Sequence, residues 1–392
     1  MSLARTGVLV ALLLSTTACA AQRGSPGALP DIQPGRRPDL ETEEAGLWMQ
    51  TDRLEADLKT SGALVADSAL NAYVRNIVCR LAEAYCADIR IYILRVPYFN
   101  ASMMPNGVMQ VWTGLILRVD NEAQLAYVLG HELGHYLRRH SIQRWRDVRA
   151  KSAFLEFSGL LTAPTGFGPL ASLGAQLALV GSIFAFSRDN EREADELGFG
   201  LAVKAGYDPR EASKVWEALV EERDATKDSA PFIFFATHPA PEERIENLKA
   251  FAKKSALDGG HAIIGREQFL AQTRPLRTML LRDELRRREF TGSQVVLDRL
   301  FEAGTGLGEL YFFQGELYRL RDNEGDREKT TAAYQKALEY GDAPVETHRA
   351  LGLLFFKTGE KEKARLAFER YLQQRVNAED REMIEAYLRQ LE

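Results

Sequence analysis

Cysteine and histidine are scarce, with three and six residues respectively in a chain of 392. Positive charge does not predominate either: 50 Lys and Arg stand against 55 Asp and Glu, which gives a net charge of −5. The composition therefore argues against a nucleic-acid partner, which would require a basic surface. Hydrophobic residues make up 45% and charged residues 27% of the chain, as in folded soluble proteins, and the length favours two domains.

Residues 1–21 are typical of a secretory signal peptide. Arg5 precedes a short apolar run, and "STTACAAQ" then supplies small residues for cleavage. Cleavage before Cys19 would give a lipoprotein lipidated on Cys19, whereas the "ACA" of residues 18–20 also suits ordinary signal peptidase. Both alternatives predict export. Residues 22–46, rich in Pro, Gly and charge, are predicted to form an extended linker rather than packed structure.

The other two cysteines, Cys79 and Cys86, lie close together in sequence. In an oxidising compartment such an isolated pair favours a disulfide, and two buried thiols are the alternative. Neither has a cysteine or histidine nearby in sequence, so neither is predicted to bind zinc or to act in catalysis.

Strand signals follow this pair. Residues 88–94, "DIRIYIL", alternate in polarity and are rich in Ile and Tyr, which predicts a strand. In "NASMMPNGVMQVWTG", Asn106 and Gly107 separate two further arms that resemble strands, which predicts a hairpin.

The stretch "AYVLGHELGHYLRRH" places His131 and His135 four residues apart, on one face of a predicted helix. Glu132 is one step round, where its carboxylate can accept a proton from water without binding a metal. Two imidazoles and such a carboxylate are typical of zinc hydrolases. His140 lies well over a hundred degrees round the helix from His135, which predicts a surface or capping residue.

A zinc site needs a third protein ligand. Arg138 and Ser141 stand where a metzincin would have glycine and histidine, so that class is excluded. Further along, Glu191 and Asp195 are again four residues apart on a predicted helix. Glu191 can complete a His-His-Glu site with one open position, and Asp195 can accept the second ring N–H of a ligand histidine. A solvated acidic helix face is the alternative.

Three blocks of the chain, "GHELGHYLRRHS", "SRDNEREADELG" and "THPAPEERI", resemble the HtpX-like and CAAX-prenyl-protease-like zinc metallopeptidases. The match covers about residues 44–251. The chain most resembles the periplasmic BepA-like branch of this family. The resemblance implies one zinc ion per chain, and it assigns the following roles: His131, His135 and Glu191 as ligands, Glu132 as general base, and Asp195 behind the ligands.

The same resemblance places His238 and Arg244 of "THPAPEER" at the catalytic cleft. For His238 three roles are open: a donor that stabilises the transition state, a fourth zinc ligand in a resting state, or a cap on the helix that begins near Glu242. We favour the fourth ligand. The segment "NASMMPNG" resembles the substrate-side hairpin of the family, which implies that Asn100 and Ala101 bind substrate.

The apolar segment of residues 154–186 is interrupted by "TAPTGFGP". The longer apolar part after this break has only 17 residues, at the lower limit for a transmembrane helix. A buried helical hairpin, partly exposed to a membrane or a client protein, is therefore predicted, and a true transmembrane span is the alternative.

Residues 265–392 form a different module. The spacing of its small and aromatic residues fits two tetratricopeptide repeats, after a degenerate earlier repeat and before a capping helix at residues 380–391. The positions concerned are Gly315, Tyr318, Tyr334, Ala337, Leu351, Gly352, Phe355, Ala364 and Phe368. The predicted fold is thus mainly α (α+β): a zincin-type domain with a small β hairpin or sheet at residues 47–255, followed by an α-helical solenoid.

These features predict a zinc metalloendopeptidase of the periplasm, anchored to the outer membrane if Cys19 is lipidated. By resemblance, its substrates are unfolded or misassembled envelope proteins, and the outer-membrane assembly machinery docks on the repeats. The alternative is a chaperone or scaffold for outer-membrane protein assembly with a largely latent protease site.

Overall fold

The computed structural model describes residues 29–150, 186–226, 233–255 and 262–392. The fold is mainly helical with one small sheet, as the sequence predicts. The N-terminal domain contains the elements α1 (Glu43–Thr60), α2 (Ser68–Ala82), β1 (Arg90–Leu94), β2 (Ala101–Met103), β3 (Val108–Trp112), α3 (Thr113–Arg118), α4 (Glu122–Leu137), α5 (His140–Ala150), α6 (Arg188–Lys204), α7 (Lys214–Ala225), α8 (Ile233–Thr237) and α9 (Pro241–Lys254).

The sheet has the order β1-β3-β2, with β1 parallel and β2 antiparallel to the central β3. Every residue of β3 is buried, which suits its central place. The predicted strand and hairpin are confirmed, and Gly107 supplies the positive φ of +87° that the turn requires. Among the described strands β2 pairs only with β3, so its other edge has no strand partner.

Helices α4 and α6 approach each other closely because small residues line their contact. A methyl group added to Gly198 would lie 2.6 Å from the backbone of Gly130, and one added to Gly134 would lie 2.7 Å from the carbonyl oxygen of Ala194. Both distances are shorter than van der Waals contact, so a side chain at either position would push the helices apart. The glycines therefore set the distance between the two helices that carry the predicted ligands.

Residues 29–46, part of the predicted extended linker, are mostly exposed but contact the N-terminal domain at a few points. Ile32 is only 2% exposed, and its backbone N–H donates to the carbonyl of Leu137 at the end of α4. Arg139 binds both the carbonyl of Pro30 and the carboxylate of Glu44. The composition of the segment is that of a linker, but one apolar side chain and two buried ion-pair partners are enough to fix it on the domain.

The predicted disulfide is present, since the sulfurs of Cys79 and Cys86 are bonded. Cys79 lies in the last turn of α2, and Cys86 lies in the 3₁₀ turn of residues 83–88 that follows. The bond therefore ties the end of α2 to the short turn that leads into β1.

The C-terminal part is entirely helical over its described residues. Its elements are α10 (Arg266–Thr273), α11 (Arg277–Arg286), α12 (Phe290–Glu302), α13 (Leu307–Arg321), α14 (Asp326–Ala337), α15 (Glu346–Thr358), α16 (Lys361–Gln374) and α17 (Arg381–Gln390). α13 packs on α14 and α15 on α16. Helix α17 lies within residues 380–391, where a capping helix is predicted, and the helix pairs lie within residues 265–392. Their assignment to the tetratricopeptide class stays a prediction.

The glycines of the predicted repeats make room for aromatic rings. A methyl group added to Gly315 would lie 2.5 Å from the ring of Tyr334, and one added to Gly352 would lie 2.5 Å from the ring of Phe368. Each ring comes from the second helix of its pair, so the predicted spacing reports a real contact between the two helices.

The two domains are joined through buried ion pairs. Arg118 at the end of α3 is almost inaccessible and contacts Glu222 of α7 at 2.7 Å and Glu284 of α11 at 3.0 Å. At the rim, Arg95 binds Asp283 with both donors of a fork. One face of α11 therefore makes contacts with the N-terminal domain.

Within the described ranges, no helix has both the length and the apolar character that a membrane crossing needs. The predicted helical hairpin of residues 154–186 lies outside the described residues apart from Phe186. The signal peptide and Cys19 lie outside them as well.

Candidate metal centre

Helix α4 presents the histidine motif from the interior of the N-terminal domain. The side chain of Asn121 caps its start by accepting the backbone N–H of Gln124, and all residues from Glu122 to Leu137 are buried. His131 and His135 lie one turn apart, and their Nε2 atoms are 3.0 Å from each other. A helix buried all round holds both rings in place.

Four side chains converge at one point. Each of His131, His135, Glu191 and His238 offers one ligand atom, and these atoms all lie within 4.8 Å of one another. The carboxylate of Glu191 is 3.2 Å from Nε2 of His135 and 3.1 Å from Nδ1 of His238. All four residues are at most 3% exposed. The predicted third ligand and the predicted fourth residue are thus brought to the histidine pair.

The chemistry of this donor set fits zinc. Three imidazole nitrogens and a carboxylate oxygen are ligands that zinc accepts, at a buried point where several ligand atoms face each other. Burial lowers the pKa of His131 to about 4, and burial together with the neighbouring His131 lowers the pKa of His135 to about 3. Both rings are therefore neutral at pH 7, as metal ligation requires.

Glu132 lies beside this cluster and not in it. Its Oε1 has no hydrogen-bond partner among the described residues and is 3.7 Å from Nε2 of His238. Burial raises the pKa of Glu132 to about 7. A carboxyl group with such a pKa can both take and give a proton near neutral pH, which suits a general base that later acts as an acid.

The ring of His131 is held in place by a contact at Nδ1. Its Nδ1 lies 2.9 Å from Oδ1 of Asp195, the contact predicted for that aspartate. Arg244 donates to both oxygens of Asp195, at 2.9 and 2.6 Å, and lies 3.0 Å from Glu191. The ring of Trp216 stacks 3.9 Å from the Arg244 guanidinium. The structure therefore places Arg244 against the outer side of the ligands, and its contact with a substrate stays a prediction.

His140 is not a surface residue, and the prediction for it is wrong. It is fully buried, its Nδ1 is 2.9 Å from Nδ1 of His135, and its Nε2 is 3.2 Å from Glu193. The helical angle does not apply because α4 ends at Leu137, and Arg139, with a φ of +59°, turns the chain back before α5 begins. His140 thus holds the outer nitrogen of His135, as Asp195 holds that of His131.

We expect His140→Ala to weaken zinc binding by about 10- to 100-fold, the usual cost of removing a partner behind a metal-ligating histidine. Competition with a chromophoric chelator measures the change. His348→Ala, which removes a largely buried histidine of helix α15 in the C-terminal part, is the matched control and should bind zinc like the parent protein. Equal zinc affinity in His140→Ala and the parent would contradict this role.

His238 directly follows α8 and belongs to the cluster. It is only 3% exposed. Its ring stacks on Phe234 with the centroids 4.4 Å apart, and its Nδ1 points to Glu191. The capping alternative is wrong, since α9 starts at Pro241 and its N-cap residue is Ala240, with no side-chain cap. Burial acts to lower the pKa of His238, but the carboxylates of Glu191 and Glu132 outweigh it and raise that pKa.

Asn100 and Ala101 lie at the start of the edge strand. Both are buried, and the carbonyl of Asn100 accepts the backbone N–H of Trp112 across the hairpin. Their role in substrate binding stays a prediction, and their burial restricts it to the backbone edge of β2.

Comparison with known proteins gives the same picture for part of the chain. Residues 66–252 match the family model of Peptidase family M48. A putative beta-barrel assembly-enhancing protease of Vibrio cholerae is 29% identical over 208 residues, covering 50% of this chain and 42% of that protein. The mitochondrial metalloendopeptidase OMA1 of Schizosaccharomyces pombe is 30% identical over 182 residues, covering 45% of this chain and 51% of that protein.

The beta-barrel assembly-enhancing protease of Escherichia coli K12 is 28% identical over 201 residues, with 49% of this chain and 41% of that protein covered. The chain thus spans about half the length of the curated relatives it matches. The matched segment contains His131, His135, Glu191 and His238 together, so the candidate centre lies wholly inside the part of the chain that matches the family model.

Proposed function

We propose that this chain, whose residues 66–252 carry a peptidase family M48 domain, is an exported zinc-dependent endopeptidase that degrades misfolded or misassembled envelope proteins. The observation that carries the proposal is the buried cluster of His131, His135 and Glu191, with the unpartnered carboxylate oxygen of Glu132 beside it. The names of the relatives from V. cholerae and E. coli, which refer to beta-barrel assembly, support outer-membrane proteins as the client class.

When bound by these residues, zinc would supply Lewis-acid polarisation of the scissile carbonyl. Glu132 takes a proton from the attacking water and delivers it to the leaving amine. Asp195 and His140 hold the rings of His131 and His135 through their outer nitrogens. The protein thus contributes orientation and one proton-transfer group.

The edge of β2 that has no strand partner among the described residues supports the choice of unfolded substrates. An extended segment can add to such an edge through backbone hydrogen bonds, whereas a folded protein offers few free strands. Docking of assembly machinery on the repeats and anchoring through Cys19 belong to the same proposal. The second candidate, a chaperone or scaffold with a latent site, draws support from His238, which completes the cluster and so can close it.

The full chain should cleave an unfolded outer-membrane β-barrel protein and spare the same protein folded in detergent. Fragments are followed by gel electrophoresis and mass spectrometry, with zinc removed by a chelator as the control. If the chain prevents aggregation of the unfolded client but yields no fragments with zinc present, the scaffold function replaces the protease.

We expect X-ray absorption of the zinc-loaded chain to show three imidazole nitrogens, and His238→Ala to show two. Cleavage by His238→Ala should rise by about tenfold or more, because the minor, open state of such an equilibrium is typically populated at about 10% or less. His348→Ala should leave both measurements unchanged. Two imidazoles in the parent protein, together with unchanged cleavage by His238→Ala, would contradict the resting-state role.

A further inference from the structure

The repeat domain encloses a groove that the zinc site does not use. It lies between helices α11, α13, α14, α15 and α17 and has a volume of about 780 Å³. Pockets that hold a bound ligand usually measure about 300–1,000 Å³. The groove is therefore large enough to take several side chains of a partner.

Part of the lining of the groove is apolar. Leu353 and Leu354 of α15 and Met383 and Tyr387 of α17 contribute to it. Met383 is 45% exposed, which makes it one of the few exposed large hydrophobic residues in the described part of the chain. Apolar side chains gathered in a concavity, rather than scattered, are typical of a site that is covered by a partner.

The charged part of the lining has an excess of positive charge, although the whole chain carries a net charge of −5. Six cationic side chains line the groove against four acidic ones: Arg282, Arg286, Arg319, Arg327, Arg349 and Lys357 against Glu316, Asp322, Asp326 and Glu346. Excess positive charge on an otherwise acidic protein selects an acidic partner.

Intramolecular ion pairs use only part of this charge. Glu316, Asp326 and Glu346 are each paired with an arginine, which leaves Asp322 as the lining acid without an ion-pair partner among the described residues. Arg286 and Arg349 are paired with Asp283 and Asp380, which are not among the lining residues.

Arg282, Arg327 and Lys357, by contrast, are exposed and have no ion-pair partner within the described ranges. These three side chains come from three different elements and point to one groove. They are available to carboxylates of a partner.

We propose that this groove binds a peptide segment of a partner protein in which acidic and apolar residues alternate. Carboxylates of the segment pair with Arg282, Arg327 and Lys357, and its apolar side chains cover Leu353 and Met383. Arginine is suited to this because its planar fork binds a carboxylate with two hydrogen bonds. The inference deepens the proposed docking role of the repeats, but binding in the groove requires neither zinc nor catalysis.

The structure also shows which substitutions test the groove without disturbing the domain interface. Asp283 and Glu284 on α11 bind Arg95 and Arg118 of the N-terminal domain. Arg282 lies on the same helix but lines the groove and is exposed. Exposed, unpaired cations can be reversed in charge at little cost in stability.

The first experiment measures peptide binding by fluorescence anisotropy on the full chain carrying Glu132→Gln, so that the probe is not cleaved. The probe is a short labelled peptide that alternates glutamate with leucine. It should bind at least about tenfold more tightly than a peptide with lysine for glutamate or one with serine for leucine, and binding should weaken with salt. No binding of the probe, or equal binding of the lysine peptide, would overturn the proposal.

The second experiment places the probe in the groove. Arg282→Glu, Arg327→Glu and Lys357→Glu combined should weaken binding by at least about tenfold. The matched control combines Lys361→Glu, Arg370→Glu and Arg389→Glu, which change the net charge equally on exposed repeat positions that do not line the groove. It should bind within about twofold of the parent.

Equal loss in both triple variants, or no loss in either, would overturn the groove as the binding site. The metal-free chain should bind the probe as the zinc-loaded chain does. A failure of the protease proposal therefore leaves this result unchanged, and the two outcomes are distinguishable.

Discussion

Glu132→Gln should reduce peptide hydrolysis by about 10²- to 10⁴-fold, the usual contribution of a general acid–base group. The amide has nearly the same shape as the carboxylate but cannot accept the proton of the attacking water. Glu132 contributes no atom to the ligand cluster, so zinc content and thermal unfolding should stay as in the parent protein. Initial rates of cleavage of an unfolded client measure the effect.

Zinc content, measured on the same sample, is the internal control for this variant. Loss of zinc together with loss of activity would show that Glu132 acts in binding the metal. Parental rates of cleavage would show that another group is the base, and the mechanism proposed above would then be wrong.

Glu191→Gln should lower zinc affinity by more than about 100-fold, beyond the usual cost of losing a partner behind a ligand. The amide oxygen is a weaker ligand, and the substitution removes the negative charge that faces three imidazoles and Arg244. Burial acts to raise the pKa of Glu191, but His238 and Arg244 outweigh it and hold that pKa well below its usual range. The Glu191 carboxylate is therefore ionised in the folded protein. Chelator competition followed by a cleavage assay measures both consequences.

Glu196→Gln is the matched control, since Glu196 is exposed on the same helix α6 and has no ion pair among the described residues. It should bind zinc and cleave clients like the parent protein. If both variants retain zinc equally, Glu191 is not a ligand, and the carboxylate of the centre has to come from elsewhere.

The sequence predicts best what depends on local spacing. His131 and His135 share a helix face because they are four residues apart. Asn106-Gly107 specifies its turn through the backbone conformations that these two residue types favour. The contact of Gly352 with Phe368 likewise follows from the period of a helix pair. In each case the partners are fixed by one or two neighbouring elements.

What the sequence does not show depends on chain reversals and on partners distant in sequence. His140 reaches His135 only because the chain turns at Arg139, and periodicity continues a helix through that point. Trp216 belongs to no motif, yet it stacks on Arg244. The position of His140, five residues after His135, becomes a usable signal only once a helix end near Leu137 is considered.

The N-terminal segment shows the same limit. Its composition is that of a linker, and nothing local marks Ile32 as buried. Its packing depends on the end of α4 and on the ion pair between Arg139 and Glu44. Arg139 and α4 both follow the segment in the chain, and only Glu44 belongs to it. Composition describes the conformational preference of a segment alone and not the packing contacts that later parts of the chain make with it.

The central claim is that His131, His135, Glu191 and Glu132 form a working zinc centre. Metal analysis of the purified protein after reconstitution at neutral pH tests it most directly. We predict about one zinc ion per chain, lost in Glu191→Gln and retained in Glu132→Gln. A fully folded protein that holds no zinc after reconstitution would contradict the account.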